Sequence, residues 1–286
     1  MSENATPTAD QLLKQATAWW STSIIDIRPG EIVIRGYPIQ ELIGALSFAQ
    51  MVWLMLRGEV PDSAQAKLLE AALVAAVDHG PQAPSIAISR MAVTCGLPIN
   101  GAMASAINAL DDIHGGAGQQ CMELYQSIAQ RADTGTNEEE AVELELDRFI
   151  AERGKIVAGF GHRFHRIDPR AVKLLDLVRR AQSDGIVSGR FARIGTLIEQ
   201  SLERRKGGRI PMNIDGATAV IYSELGFAPP LGRGLFVLSR SVGILAHAWE
   251  QTQQGGRIKG PMPPNIPFQY VGSPPRRFEP NQPETT

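Results

Sequence analysis

Cysteine is scarce in this sequence, net charge is small and long apolar runs are missing, and each shortage removes a class of protein. Only Cys95 and Cys121 stand in 286 residues. They are far apart and lack zinc spacing, so neither a disulfide framework nor a metal site is expected. A net charge of −2 and a pI of about 6.2 leave no basic surface of the kind that neutralises nucleic-acid phosphates. No apolar run approaches the roughly 20 residues that span a bilayer. The opening MSENATPTAD is polar and acidic, unlike a secretory signal or a basic transit peptide. A reducing, cytoplasmic setting is expected, with neither nucleic acid nor membrane as partner. Strand signal is nearly absent: only residues 24–36 alternate, around Pro29-Gly30, as a short hairpin. No internal repeat is visible.

Helices fill the rest. Ser47 precedes FAQMVWLMLRG, which is apolar nearly all round and is expected to be buried. Pro61-Asp62-Ser63 introduces a helix to Val77, and GAMASAINAL carries small residues that permit close packing. Thr136 or Asn137 would cap a helix running to Arg153. Pro229-Pro230 reads as a break before a helix from Gly234 to Gln253, and the proline-rich tail after Gly255 reads as an extended arm. Hydrophobic residues at 43% and charged residues at 20% suit a globular chain with a deep core and one or two domains.

The chain is organised around GKIVAGFGHRFHRIDPR, residues 154–170. Its glycines allow positive φ and close approach, His162 follows at once, and Pro169 suits the first turn of a new helix. This reads as a loop presenting a histidine and cations at a helix start, which suits anion binding; a plain basic turn is the other reading. Three more loops bring one polar group to a helix end. His79 in Asp78-His79-Gly80-Pro81 is a helix C-terminal cation or a ligand-facing group, and His114 before Gly115-Gly116 stands beside a C-capping glycine or faces a site. Asp215, alone in an apolar stretch, is either a helix N-cap or a carboxylate kept for chemistry. Arg240 among apolar neighbours snorkels or holds a buried anion.

Together Arg35-Gly36-Tyr37-Pro38, Asp78-His79, His114-Gly115-Gly116, Gly159-Phe160-Gly161-His162, Asp168-Pro169-Arg170, Asn213-Ile214-Asp215 and Ser239-Arg240-Ser241-Val242-Gly243 resemble the citrate synthase superfamily in order and spacing, over roughly residues 30–272. The DHGP form at 78–81, SRSVG followed by His247, and the short length are most similar to the citryl-CoA lyase branch, the lyase domain of ATP-citrate lyase. The resemblance implies an all-α, citrate synthase-like fold. A large domain (1–118 and 230–286) and a small one (119–229) would enclose the site in the cleft between them, in a homodimer or higher homo-oligomer.

By matching position it implies Asp215 as the acid/base carboxylate, His114 as stabiliser of a thioester enolate and His162 as the group handling the substrate's carbonyl or hydroxyl oxygen. His79, Arg170 and Arg240 would hold substrate carboxylates. Ile156, Val157, Ala158, Gly159, Phe160 and Gly161, with Arg205, would contact coenzyme A. A family arginine supplied by the partner subunit is replaced here by Lys259 or Gly260. The implied reaction is cleavage of citryl-CoA, or a similar hydroxy-acyl-CoA, to acetyl-CoA and oxaloacetate. The alternatives are citrate or 2-methylcitrate synthesis and, behind both, a non-catalytic relative. The coenzyme A thioester would be a substrate, and no metal is implied. The chemistry fits the residue types: a dry carboxylate is a stronger base, a neutral histidine can stabilise an enolate, and guanidinium forks bind carboxylates.

Overall fold

The computed structural model describes residues 8–162 and 165–277. In chain order these form α1 (Ala9–Trp19), strands β1 (Ile25–Arg28), β2 (Glu31–Ile34) and β3 (Tyr37–Pro38), then α2 (Ile39–Leu42), α3 (Phe48–Arg57) and α4 (Ser63–Ala75). There follow α5 (Pro84–Thr94), α6 (Ile99–Ile107), α7 (Ala117–Asp133), α8 (Glu138–Arg153), α9 (Pro169–Ser183), α10 (Arg190–Lys206), α11 (Ile214–Glu224) and α12 (Pro229–Gln254). The expected all-α class is what the described residues show, apart from one small antiparallel sheet in the order β1-β2-β3. Its register pairs Ile25 with Ile34 and Ile34 with Tyr37. Arg35 and Gly36, both at positive φ, make the tight turn between β2 and β3. No described helix is long and apolar enough to cross a membrane.

The chain divides into two compact units. One holds the described residues up to His79 together with Ala109–Gly243; the other holds Gly80–Asn108 and the described residues from Ile244 onward.

The first unit is built around α11, which is buried on every side from Gly216 to Ser223. A helix apolar all round belongs in a core, and α4, α7, α9 and α10 pack against it. Tyr125, Ile128, Leu146, Ile194, Ile198 and Val220 share that core, and burying each such side chain is worth about 1.5–3 kcal/mol. The far end of α11 is closed by Arg57 of α3, whose guanidinium donates to the carbonyls of Leu225 (3.2 Å) and Gly226 (2.8 Å). A cation there meets the negative end of the helix dipole. Ser47 caps α3 reciprocally with Gln50, as its position foretold. Asn137, not Thr136, caps α8.

Two boundaries differ from the sequence reading. Pro229-Pro230 opens α12 instead of breaking the chain, because proline lacks only an N–H that the first helical turn leaves unpaired anyway. α4 stops at Ala75, two residues short of Val77.

In the second unit α5 packs on α6. Arg90 of α5 donates to Gln254 (2.6 Å) and lies 3.0 Å from His247 Nδ1. The backbone of Ile258 and Lys259 ties the tail to Thr94 at the end of α5.

Candidate active site

Asn213 settles the two readings of Asp215. The Asn213 side chain is the N-cap of α11, accepting from the N–H groups of Asp215 (2.9 Å) and Gly216 (3.3 Å). Asp215 is therefore not the cap, and its carboxylate is left to line a cavity. The glycine loop fixes the same helix start. Gly159 C=O accepts from Asn213 N (2.9 Å), Gly161 N donates to Pro211 C=O (2.8 Å), and Asn213 Nδ2 donates to Gly161 C=O (2.7 Å). A Cβ on Gly159, at φ +85°, would stand 2.6 Å from Cys121 Sγ and 2.9 Å from Gly216 Cα; one on Gly216 would stand 2.4 Å from the Gly159 carbonyl oxygen. Two backbones touch here, and only glycine on both sides allows it.

Asp168 caps α9 and does more. Its side chain is fully buried and accepts from Arg170 N (3.0 Å), Arg170 Nε (3.0 Å) and Arg170 Nη2 (2.9 Å), and from Ile214 N (3.1 Å). One carboxylate thus sets the Arg170 fork and pins the start of α9 to the start of α11. Burial pushes its pKa up, but the bonds from Arg170 outweigh this and hold it below the usual carboxylate range.

The SRSVG segment docks on the end of α4. Ser239 Oγ donates to Leu73 C=O (2.5 Å) and Arg240 Nε to Ala76 C=O (3.1 Å). A Cβ on Gly243 would lie 2.2 Å from the Val77 carbonyl oxygen. The motif therefore seats Arg240 over the turn that delivers His79. Arg240 itself is buried, with its guanidinium 4.9 Å from the Phe236 ring centroid.

His114 sits on a turn in which Asp111 N donates to His114 C=O (2.9 Å). The histidine in the GFGH loop has its Nδ1 accepting from His165 N (3.1 Å). In the neutral ring of His162 this places the proton on Nε2. The His79 and His162 rings are 5.7 Å apart.

His79, His114, His162, Arg170, Asp215 and Arg240 all line one cavity of about 200 Å³, with Ile113, Gly115, Ala117, Ile214 and Phe236 among the other walls. That is below the roughly 300–1,000 Å³ of pockets for drug-sized ligands, so it suits a small polar molecule. All of these lining residues belong to the first compact unit.

Burial raises the Asp215 pKa, against the pull of Arg240 and Arg170. Burial lowers His79, helped by Arg170; it lowers His114, helped by Arg240; and it lowers His162, against Asp168. A strengthened carboxylate base, neutral imidazoles and two guanidiniums in one small hollow can bind a dicarboxylate and move a proton beside it.

Residues 46–261, which take in every cavity residue named above, match the family described as Citrate synthase, C-terminal domain. The chain belongs to the citrate synthase family. The curated citrate synthase of Acidithiobacillus ferridurans is 31% identical over 239 residues, covering 82% of this chain and 58% of that one. The chain spans between 52% and 58% of the curated relatives it matches. Among solved structures, citryl-CoA lyase from Hydrogenobacter thermophilus has a TM-score of 0.79 at 32% identity, covering 91% of this chain and 97% of that one. Citrate synthase from Thermotoga maritima MSB8 has a TM-score of 0.64 at 26% identity, covering 82% and 60%.

The remaining family positions lie outside the cavity lining. Val157 and Phe160 are core residues, so of loop 156–161 chiefly Ile156, exposed, and the backbone face outward. Arg205 is held by Glu143 (2.5 Å) and Asp147 (2.5 Å). Lys259 belongs to the second unit, with Nζ donating to Gln251 Oε1 (3.2 Å). Sequence reading assigned no role to Asp168 beyond its motif, nor to Asn213, Gly216 or Phe236. The Asn two places before Asp215 was the one visible signal, since Asn is a strong N-cap.

Proposed function

We propose that this chain makes and breaks a carbon–carbon bond between the methyl carbon of an acyl-CoA thioester and the keto carbon of a small dicarboxylate, with cleavage of citryl-CoA to acetyl-CoA and oxaloacetate as its main reaction. The observation that carries the reading is the convergence of Asp215, His114, His162, Arg170 and Arg240 on one cavity. In cleavage, His162 in its other tautomer, which carries the proton on Nδ1, takes the substrate hydroxyl proton on Nε2 and becomes imidazolium as the C–C bond breaks, with Asp215 entering the step as the neutral acid. The thioester enolate is stabilised by a hydrogen bond from His114, and Asp215 delivers a proton to the enolate carbon. Condensation is the same path reversed: ionised Asp215 takes the methyl proton and the protonated His162 ring gives a proton from Nε2 to the new alkoxide oxygen. Arg170, Arg240 and His79 hold the carboxylates.

The higher similarity to the lyase structure favours cleavage, while the curated names at 31% identity favour citrate synthase as the second reading. The proposal extends to coenzyme contact at Ile156–Gly161 and Arg205, to a large and a small domain as divided above, and to a homodimer in which Lys259 reaches a partner's substrate. A paired assay tests it: cleavage of citryl-CoA beside thiol release from acetyl-CoA plus oxaloacetate. Faster cleavage supports the lyase, thiol release alone the synthase, and neither reaction would overturn both.

A further inference from the structure

Arg233 lies on the first turns of α12, and both terminal nitrogens of its guanidinium are spent on one loop. Nη1 donates to Asp111 Oδ1 and Nη2 to Asp112 Oδ1. These two aspartates immediately precede Ile113 and His114. Backbone and side-chain links hold the rest of the loop. Asp111 bridges Gly115, Gln120 Nε2 donates to the Asp112 carbonyl (3.0 Å), and a Cβ on Gly116 would sit 2.6 Å from that same oxygen. Ile113 is fully exposed, so the turn is not held from that side by packing.

We propose that Arg233 is a positioning residue for His114: by gripping Asp111 and Asp112 from α12, it fixes the turn that carries the imidazole into the cavity. The rotation of the turn about its glycine end is blocked because two neighbouring carboxylates are tied to one planar fork. The same pairing cancels two negative charges beside a cavity that would take anions. Removing the arginine leaves both acids in water, since their side chains are 81% and 72% exposed, so the fold is retained and the loss falls on the loop.

The kinetic part of this inference rests on the proposed role of His114, and the test keeps the two apart. The full chain, Arg233→Ala, Arg233→Lys and the double variant Asp111→Asn/Asp112→Asn are compared by hydrogen–deuterium exchange over residues 110–117 and by NMR titration of His114. Arg233→Ala and the double variant should exchange faster in that loop, with α11 unchanged. They should also titrate His114 at higher pH, because a released ring is less desolvated. In whichever direction the wild type turns over, kcat should fall by up to about 100-fold, the scale of a slightly misplaced group. KM for thioester and keto acid should stay within about twofold, and Arg233→Lys should recover part of the loss.

Arg233 also lines a second, polar hollow with Gln119, Gln120 and Arg153 that shares Ile113 with the cavity. If its work were coenzyme contact there, KM for the thioester would rise with kcat and exchange unchanged, and the proposal would be overturned. Unchanged exchange and titration in both the Ala and the double variant would overturn it as well. A wild type inactive in both directions would sink the functional reading, while exchange and titration still decide the clasp.

Discussion

Asp168→Asn separates what holds this site from what reacts in it. The carboxylate takes four N–H groups, three from Arg170 and one from Ile214, and its side chain is fully buried. The amide keeps the size but loses the charge and turns one acceptor into a donor that faces Arg170 or Ile214. Charge-assisted bonds are worth about 1.5–3 kcal/mol each, and breaking a buried pair by removing one partner costs about 3–5 kcal/mol. Since asparagine still accepts on one oxygen and Arg170 is partly solvated, the expected loss is about 2–4 kcal/mol, read as a shift in urea midpoint at pH 7 with unchanged slope.

The pH dependence follows from the direction of the shift. Asp168 has its pKa lowered in the folded state, so its contribution is full above its unfolded value of about 3.9 and is lost as pH falls through the lower folded value. The gap between wild type and Asp168→Asn should be flat from pH 8 to about 5 and close below about 4. Because Arg170 loses its orienting partner, KM for the dicarboxylate should rise about tenfold or more, the equivalent of about 1.4 kcal/mol. A variant within about 0.5 kcal/mol of wild type, with KM unchanged, would refute the reasoning, because that is the range of an inconsequential surface change.

Gly159→Ala should destabilise by about 2–4 kcal/mol, combining a left-handed alanine with overpacking against Cys121 and Gly216, and should lower kcat because the same contact seats Asp215; an unchanged melting temperature would contradict the close approach. Asp215→Asn should lower kcat by roughly 10²–10⁴-fold while leaving the melting temperature equal or higher, since a carboxylate whose pKa burial has raised is a cost to the fold when ionised; retention of more than about a tenth of the rate would remove Asp215 from the role of base.

The helices were legible because their boundaries are local chemistry. Ser47, Asp62 and Asn137 cap where capping residues should, and α11 was readable as a short apolar helix. Its place at the centre of a five-helix packing was not, because that depends on what surrounds it. The GFGH glycines read as part of an anion loop or a plain basic turn. Their physical need, at Gly159, is a contact with Gly216, 57 residues later, and no pattern along the chain encodes such a meeting. The histidines and arginines of the cavity were visible as isolated polar residues at helix ends and became a set through family resemblance. Arg233 stayed hidden because an arginine near a turn is ordinarily a solvated charge; only its reach to Asp111 and Asp112 sets it apart.

The charges around Asp215 make one more quantity testable. Burial raises its pKa, and Arg240 and Arg170 pull it down. Those two guanidiniums favour its ionised form. A bound dicarboxylate brings two negative charges near Asp215 and engages guanidinium nitrogens not already given to Asp168 and the Ala76 carbonyl. Like charges disfavour ionisation, and a cation engaged by one anion attracts another less. Occupancy of the carboxylate site therefore raises the Asp215 pKa a second time, making it a stronger base when the partner molecule is already in place. In the condensation direction the acid limb of kcat/KM for the thioester, at low keto acid, reports the free site, and that of kcat the loaded one. The limb of kcat should lie at the higher pH. The two limbs should converge in Arg240→Lys, whose point charge engages both the substrate and Asp215 less well than a fork. If the limb of kcat lay at the lower pH, Asp215 would be gaining cationic influence on binding, and the carboxylates would have to sit elsewhere than on Arg170 and Arg240.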